Sequence, residues 1–285
     1  MFIADNELSI SALLLAACLA CSSVYAAEKP PAKGTAPASG KLLISGSSTM
    51  APMMVAVGKR FSTLHPGVQI EVKVTGSGRG IDDVTKGKAD IGMASRALAD
   101  KDSSLYSFAI ARDGVGLVVH KNNPVQSLSN RQVLDIYTGK INNWSKVGGQ
   151  DTPIAPINAK EDIGSVDLFT HYFDLRYADI KARIVVSDNL ARVRALVENP
   201  NGIAYMSFGT ALHEANKGVP IKLLPIDGVA ATTKNIRNGN FPLSRPLLLL
   251  TRDLPTGLAK DFINFSLSSQ ITEIVVQHDF VPYLD

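Results

Sequence analysis

The chain has 285 residues, 45% of them apolar and 19% charged, which excludes intrinsic disorder and supplies enough apolar material for one large core or two ordinary ones. Its formal charge of +3 is scattered, with no Lys/Arg run and no basic–aromatic interleaving. That argues against a nucleic-acid partner and fits a soluble surface with slight anion steering.

Residues 1–26 read as a signal peptide. Ser11–Leu19 is an apolar run too short to span a bilayer as a helix. Val24-Tyr25-Ala26 is a small-x-small pattern suited to cleavage after Ala26, although the segment ahead of it carries Asp5 and Glu7 where Lys or Arg is usual. The expected location is therefore the periplasm, by export. Leu15-Ala16-Ala17-Cys18 also resembles a bacterial lipoprotein cleavage site, and the alternative is a lipoprotein anchored through Cys18. Both cysteines, Cys18 and Cys21, lie in this segment. Cleavage after Ala26 leaves no disulfide, thiol nucleophile or Cys-ligated metal. Residues 27–40 are rich in Pro, Ala, Gly and Ser and read as a flexible tether.

From Lys41 onward, short apolar runs alternate with helical patterns. Lys41–Ser45 reads as a strand and Gly46-Ser47-Ser48-Thr49 as a turn. Met50–Leu64 has helical spacing, with Pro52 tolerated in the first turn and His65-Pro66-Gly67 as the stop. Val68–Val74 alternates like a strand. Gly76–Gly80 is a second glycine-rich turn leading to a short helix through Val84, and Ala89–Met93 is another strand. Phe108–His120 reads as two strands broken at Asp113-Gly114. Helices follow over Asn130–Tyr137, Val166–Phe173, Asn189–Glu198, Pro255–Leu267 and Ser269–Gln277, with strands over Ile154–Asn158, Gly202–Met206 and Leu247–Thr251. Repeated strand, turn, helix, strand units predict an α/β fold with a mainly parallel sheet.

Three glycine- and hydroxyl-rich turns each follow a strand: Gly46–Thr49, Gly76–Gly80 and Gly92–Arg96. The first N–H groups of a helix have no internal partner, and the helix dipole adds partial positive charge there. Such turns at the carboxyl ends of parallel strands suit an oxyanion. Ser48, Thr49 and Ser77 offer hydroxyls, and Arg96 offers a planar fork matched to two oxygens of a tetrahedral anion. Taken singly, each feature is more often a plain N-cap, a turn or a surface Arg; their recurrence at successive strand–helix junctions gives them weight. Gly-Lys-Ser/Thr is absent from these turns, so they are not the phosphate loop of NTPases. The histidines past residue 26 are His65, His120, His171, His213 and His278, and they lack metal-ligand spacing. Gly-x-Ser-x-Gly is absent, and the adjacent pairs Asp82-Asp83 and Glu161-Asp162 read as solvated. These features predict a binding protein that uses no cofactor and is not an enzyme.

The order Gly46-Ser47-Ser48-Thr49, Ser77-Gly78, Ala89-Asp90-Ile91-Gly92-Met93-Ala94-Ser95-Arg96 and Asp113-Gly114 resembles the phosphate-binding proteins of ABC transporters, a PstS-like family with the type II periplasmic-binding-protein fold. The resemblance continues through Asp135–Trp144 and Asn240-Phe241-Pro242-Leu243-Ser244-Arg245-Pro246, in which Tyr137 and Trp144 read as packing residues. It implies two α/β lobes joined by two hinge crossings: residues 41–119 plus 245–285 in lobe 1 and 120–244 in lobe 2. It implies capture of inorganic phosphate or a similar tetrahedral oxyanion between the lobes by a monomer, with delivery to an ABC permease in the membrane. Ser48, Thr49, Ser77, Ser95 and Arg96 become the first lobe's ligand contacts, with Gly164 and Ser165 in the second. The second lobe departs from the family pattern of an Arg followed by Gly-Ser-Gly-Thr: Lys160–Val166 places Lys at the Arg and lacks the Thr hydroxyl. That departure motivates the alternative of a secreted or surface-tethered, non-transport protein of the same fold with weak or altered ligand binding.

Overall fold

The computed structural model describes residues 39–283, and the expected signal peptide, the Cys18 site and nearly all of the tether lie outside the described residues. The first unit is β1 (Gly40–Gly46), α1 (Ala51–Leu64), β2 (Val68–Val74), α2 (Ser77–Thr85) and β3 (Ile91–Ala94). α1 buries Met53, Met54, Val57 and Phe61 along one face, as its helical spacing predicts, and ends at His65 before Pro66-Gly67. Gly46 has φ 140°, and a Cβ there would lie 2.2 Å from Met93 O. The turn into α1 therefore has room only for glycine, which lets β1 and β3 close tightly beneath it.

In place of the two strands expected over Phe108–His120 there is one: β4 runs unbroken from Tyr106 to His120. Asp-Gly is an ordinary turn signal, but here the Asp113 carboxylate is held by Arg245 and by the Gly209 N–H, so the strand continues through it. β4 pairs with β9 (Ser244–Thr251) over Tyr106–Gly114 and with β7 (Gly202–Ser207) over Val115–Val119. It thereby links two groups of strands.

The second group holds α3 (Asn130–Tyr137), β5 (Ala155–Ala159), α4 (Gly164–Tyr172), β6 (Ile184–Val186), α5 (Asn189–Glu198), β7, α6 (Phe208–Asn216), β8 (Ile221–Leu224) and α7 (Thr233–Arg237). Ser129 caps α3 in a reciprocal box with Gln132. The chain then returns through β9 to α8 (Gly257–Ser266), α9 (Thr272–Gln277) and β10 (Val281–Pro282), which pairs with β4. The return runs beside the outward crossing, with Val115 N donating to Leu243 O at 2.8 Å.

The α/β class holds, with a mixed sheet rather than a mainly parallel one. Among the named strands of the described residues, parallel pairing runs through β2-β1-β3 and β7-β5-β6. β9 enters the first group from the second, antiparallel to both β3 and β4, which fixes the mixed centre. Each group has its own core: Ile44, Val57, Phe61, Leu249 and Phe262 in the first, and Tyr137, Trp144, Phe169 and Tyr205 in the second. Trp144 and Tyr137 pack as expected; the Trp144 ring N–H donates to Asn201 O at 2.9 Å. Of the acidic pair at 82–83, Asp82 lies on the surface with Lys86, whereas Asp83 turns inward and accepts from the Ser45 hydroxyl at 2.7 Å. Among the described residues, no helix is long and apolar enough to cross a membrane, and no cluster of His, Cys, Asp and Glu could hold a metal.

Candidate functional site

The strand–helix junctions of the first group converge. Ser77 opens α2 and Ser95 follows β3; both are buried, their hydroxyls 3.2 Å apart, and Ser95 N donates to Ser77 Oγ at 3.1 Å. The start of α4 in the second strand group lies against them. A Cβ on Gly164 would sit 2.7 Å from Ser77 Oγ and 2.9 Å from Ser95 Oγ, and Gly78 N donates to Asp162 O at 3.1 Å. The absence of a side chain at Gly164 is therefore what lets these two helix starts meet.

From Ser165 a hydrogen-bonded network runs back to the first group. The Arg192 guanidinium donates from Nη1 to Ser165 Oγ and to Asn189 Oδ1, both at 2.9 Å. Asn189 Nδ2 donates to Thr49 Oγ1 at 2.9 Å, and Arg245 Nη2 donates to the same oxygen at 3.1 Å. Arg245 also holds Asp113 Oδ2, at 3.1 Å through Nε and 2.7 Å through Nη2. Both guanidinium groups are fully buried, and three of their donor atoms have no hydrogen-bond partner among the described residues: Nε and Nη2 of Arg192 and Nη1 of Arg245.

A buried cation without its full set of partners is expensive, because desolvation penalises the charged form. Burial accordingly lowers the Arg192 pKa to about 10, against the opposing influence of the nearby Tyr205 and Tyr137 rings, with Arg245 adding repulsion. Arg192 stays charged at neutral pH. Two guanidinium groups kept close enough to repel, with donors left over, offer the chemistry that suits an anion. The hydroxyls point the same way. Thr49 Oγ1 accepts two hydrogen bonds and Ser165 Oγ accepts one from a cation, so each has its own proton available to a guest.

The sequence-derived candidates separate into two sets. Thr49, Ser77, Ser95, Gly164 and Ser165 come together. Ser48 is half-buried and lines an adjoining cleft with Thr49 and Asn189. Arg96 is engaged elsewhere: its Nη1 donates to Ala97 O at 2.9 Å, Nη2 lies 3.6 Å from Asp102, and Nε lies 3.9 Å from Asp167. Lys160 is exposed, with its backbone N–H on Val186 O at 3.1 Å. The guanidinium groups in the network are Arg192 and Arg245, together with Asn189 and Asp113, and none of these was a sequence candidate. One signal for Arg192 exists in the sequence: it shares the spacing of Asn189, Val193 and Leu196, the face that α5 buries.

Residues 31–270 match the model of the PBP superfamily domain. The phosphate-binding protein PstS of Bacillus subtilis is 29% identical over 278 residues, covering 96% of this chain and 91% of that protein. The phosphate-binding protein PstS of Staphylococcus haemolyticus is 31% identical, covering 79% of this chain and 76% of that protein. This chain belongs to the PstS family of the PBP superfamily. Within the family, the crystal structure of a Clostridium perfringens substrate-binding protein assigned to phosphate ABC transport, with bound phosphate, superposes with a TM-score of 0.79 at 34% identity, covering 85% of this chain and 99% of that one. The family resemblance read from the glycine- and hydroxyl-rich turns thus holds over nearly the whole described fold.

Proposed function

We propose that this PstS-family chain is an exported carrier that captures inorganic phosphate in the network around Thr49, Ser77, Ser95, Ser165, Arg192 and Arg245 and delivers it to an ABC permease. The observation that carries the reading is the set of three unpartnered, fully buried guanidinium donors beside two hydroxyls with free protons. Family membership with phosphate-binding relatives supports the identity of the anion. The protein acts without turnover, as a monomer, and the mature chain begins after the signal peptide.

In this reading the strand groups move as lobes about paired crossings, and the pairing of Val115–Val119 with β7 moves the first of them from the expected residue 119 to Gly114–Val115, beside Leu243–Ser244. The contacts of Gly164 with Ser77 and Ser95, and of Asp162 O with Gly78 N, belong to the closed form. Closure would exchange the water around the anion for fixed donors. Isothermal titration of the purified protein with phosphate tests the proposal: saturable binding of one phosphate per chain supports it, and no heat at millimolar phosphate sinks it. Melting offers a second readout, since phosphate at about a hundred times its Kd adds ~2.7 kcal/mol of stability.

A further inference from the structure

The two buried guanidinium groups are held differently. Arg245 is clamped by a carboxylate, with Nε and Nη2 both on Asp113. Arg192 donates to Ser165 Oγ and Asn189 Oδ1; both acceptors are neutral, and both are reached through the single atom Nη1. Bonds that leave one nitrogen act as a pivot. They anchor that corner of the planar group and leave its tilt unfixed. Yet the tilt decides what the group can hold. The donors left over, Nε and Nη2, sit side by side on one edge of the plane, the edge that grips two oxygens of one anion.

An aromatic ring supplies the missing constraint. Arg192 Cζ lies over the Tyr205 ring, 5.3 Å from its centroid. The negative face of a ring attracts a guanidinium at that distance, most strongly where water is excluded, and both residues are fully buried. The ring is itself fixed. It stacks on Phe169 with 3.8 Å between centroids and 5° between planes, and Tyr137 meets it at 5.4 Å and 66°. Its hydroxyl donates to Asn158 Oδ1. Phe169 stands one turn after Ser165 on α4, so the two share a face of that helix. The contacts close on themselves: Ser165 to Arg192, Arg192 to Tyr205, Tyr205 to Phe169, and back along α4 to Ser165.

Resting on the assignment of this network as the anion cage, we propose that Tyr205 is a positioning residue for anion capture: its ring face sets the tilt of the Arg192 guanidinium and so keeps the Nε–Nη2 edge presented to the guest. The advantage is preorganisation. A guanidinium already at the required tilt needs no reorientation when the anion arrives. One that has turned elsewhere in the free protein must be brought back, and the apparent affinity falls by the fraction of molecules that start out misplaced. Tyr205 acts here through Arg192 and touches no anion.

The test keeps the shape of the ring and changes its charge. Tyr205→Phe retains the face and removes the bond to Asn158. Monofluorinated and pentafluorinated phenylalanine, introduced at the same position, weaken and then reverse the negative face while the packing stays aromatic. The full chain and the three variants are titrated with inorganic phosphate by calorimetry, and urea unfolding without phosphate follows their stability. Y205F should bind phosphate within about threefold of the parent. Affinity should then fall with fluorination, by about 10- to 30-fold at the pentafluorinated ring, while the urea midpoints of the fluorinated proteins stay near that of Y205F. A ring that only packs would give Y205F and both fluorinated proteins the same affinity, and that result overturns the inference while the carrier reading stands. A loss of about tenfold or more already in Y205F overturns it as well and gives the positioning to the hydroxyl bond on Asn158. Should the pentafluorinated protein fail to fold, the order of Y205F and the monofluorinated protein decides. Absence of phosphate binding in the parent overturns this inference and the carrier reading together.

Discussion

Arg192 Nη1 donates to Ser165 Oγ at 2.9 Å, joining a guanidinium on α5 to the first turn of α4. The bond fixes a cation beside the start of α4, where the nearby Lys160 is exposed. Because the serine oxygen accepts this bond, its own proton is left to donate elsewhere. The second strand group therefore carries a buried guanidinium although Lys160 at the α4 entrance is exposed.

Replacing Arg192 separates binding from stability. Arg192→Met removes two donors that are free for the anion, each worth ~1.5–3 kcal/mol to a charged acceptor. Phosphate affinity should fall by about 10²- to 10⁴-fold. The stability of the unliganded protein should change by no more than ~2 kcal/mol, because relief of an incompletely paired buried charge offsets the donor lost to Ser165 Oγ and Asn189 Oδ1. Titration calorimetry and urea unfolding read the two effects. A variant that binds phosphate like the parent would remove Arg192 from the site.

Asp113 and Arg245 behave differently, because their pairing is complete on the carboxylate side. Both side chains are 1% exposed or less and 2.7 Å apart. Asp113→Ala leaves Arg245 buried without its counter-ion and should cost ~3–5 kcal/mol. The crossing of β4 should loosen with it, since Gly209 N loses its acceptor. Urea unfolding of the unliganded variant measures this, and a change below ~1 kcal/mol would show the pair to be dispensable.

Arg96 provides the contrast. It lies 3.9 Å from the exposed Asp167 on α4 and so ties the two strand groups together outside the cage. A pair with one exposed member contributes ~0–1 kcal/mol and is screened by salt. Arg96→Gln should weaken phosphate binding by no more than about fivefold, with the difference shrinking at high salt. A loss of ~100-fold or more would place the Arg96 guanidinium on the anion after all.

The site was half legible in the sequence, and the division has a physical cause. Thr49, Ser77, Ser95, Gly164 and Ser165 were readable because each sits where a strand or loop hands over to a helix, a junction that leaves its mark within a few neighbouring residues. Arg192 and Arg245 gave no such local mark. An arginine inside a helical pattern reads as solvated, and only the burial of its neighbours Val193 and Leu196 shows that it faces inward. Arg245 was visible as part of a family motif, but its partner Asp113 is 132 residues away, a distance over which the sequence carries no pairing signal. The fold shows the same division. The local helices α1, α3 and α5 were legible from periodicity and caps. The continuous β4 was not, because a partner distant in sequence neutralises the aspartate that locally signals a turn.

Gly164 tests whether the meeting of the two helix starts is needed for binding. Its missing Cβ would fall 2.7 Å from Ser77 Oγ and 2.9 Å from Ser95 Oγ, closer than side chains pack. In Gly164→Ala, either the serine hydroxyls leave their positions or the start of α4 backs away from α2. Both outcomes damage the cage, and overpacking of this kind costs ~1–3 kcal/mol. The three atoms nearest that Cβ all belong to Ser77 and Ser95, so in the proposed two-lobe reading the cost falls on the closed arrangement. Phosphate affinity should therefore drop by about 5- to 150-fold while the melting temperature of the unliganded protein barely moves. Titration calorimetry paired with melting curves, with and without phosphate, separates the two quantities. Unchanged affinity in G164A would mean that phosphate binds without bringing α2 and α4 together, and the closed geometry would no longer describe the bound state.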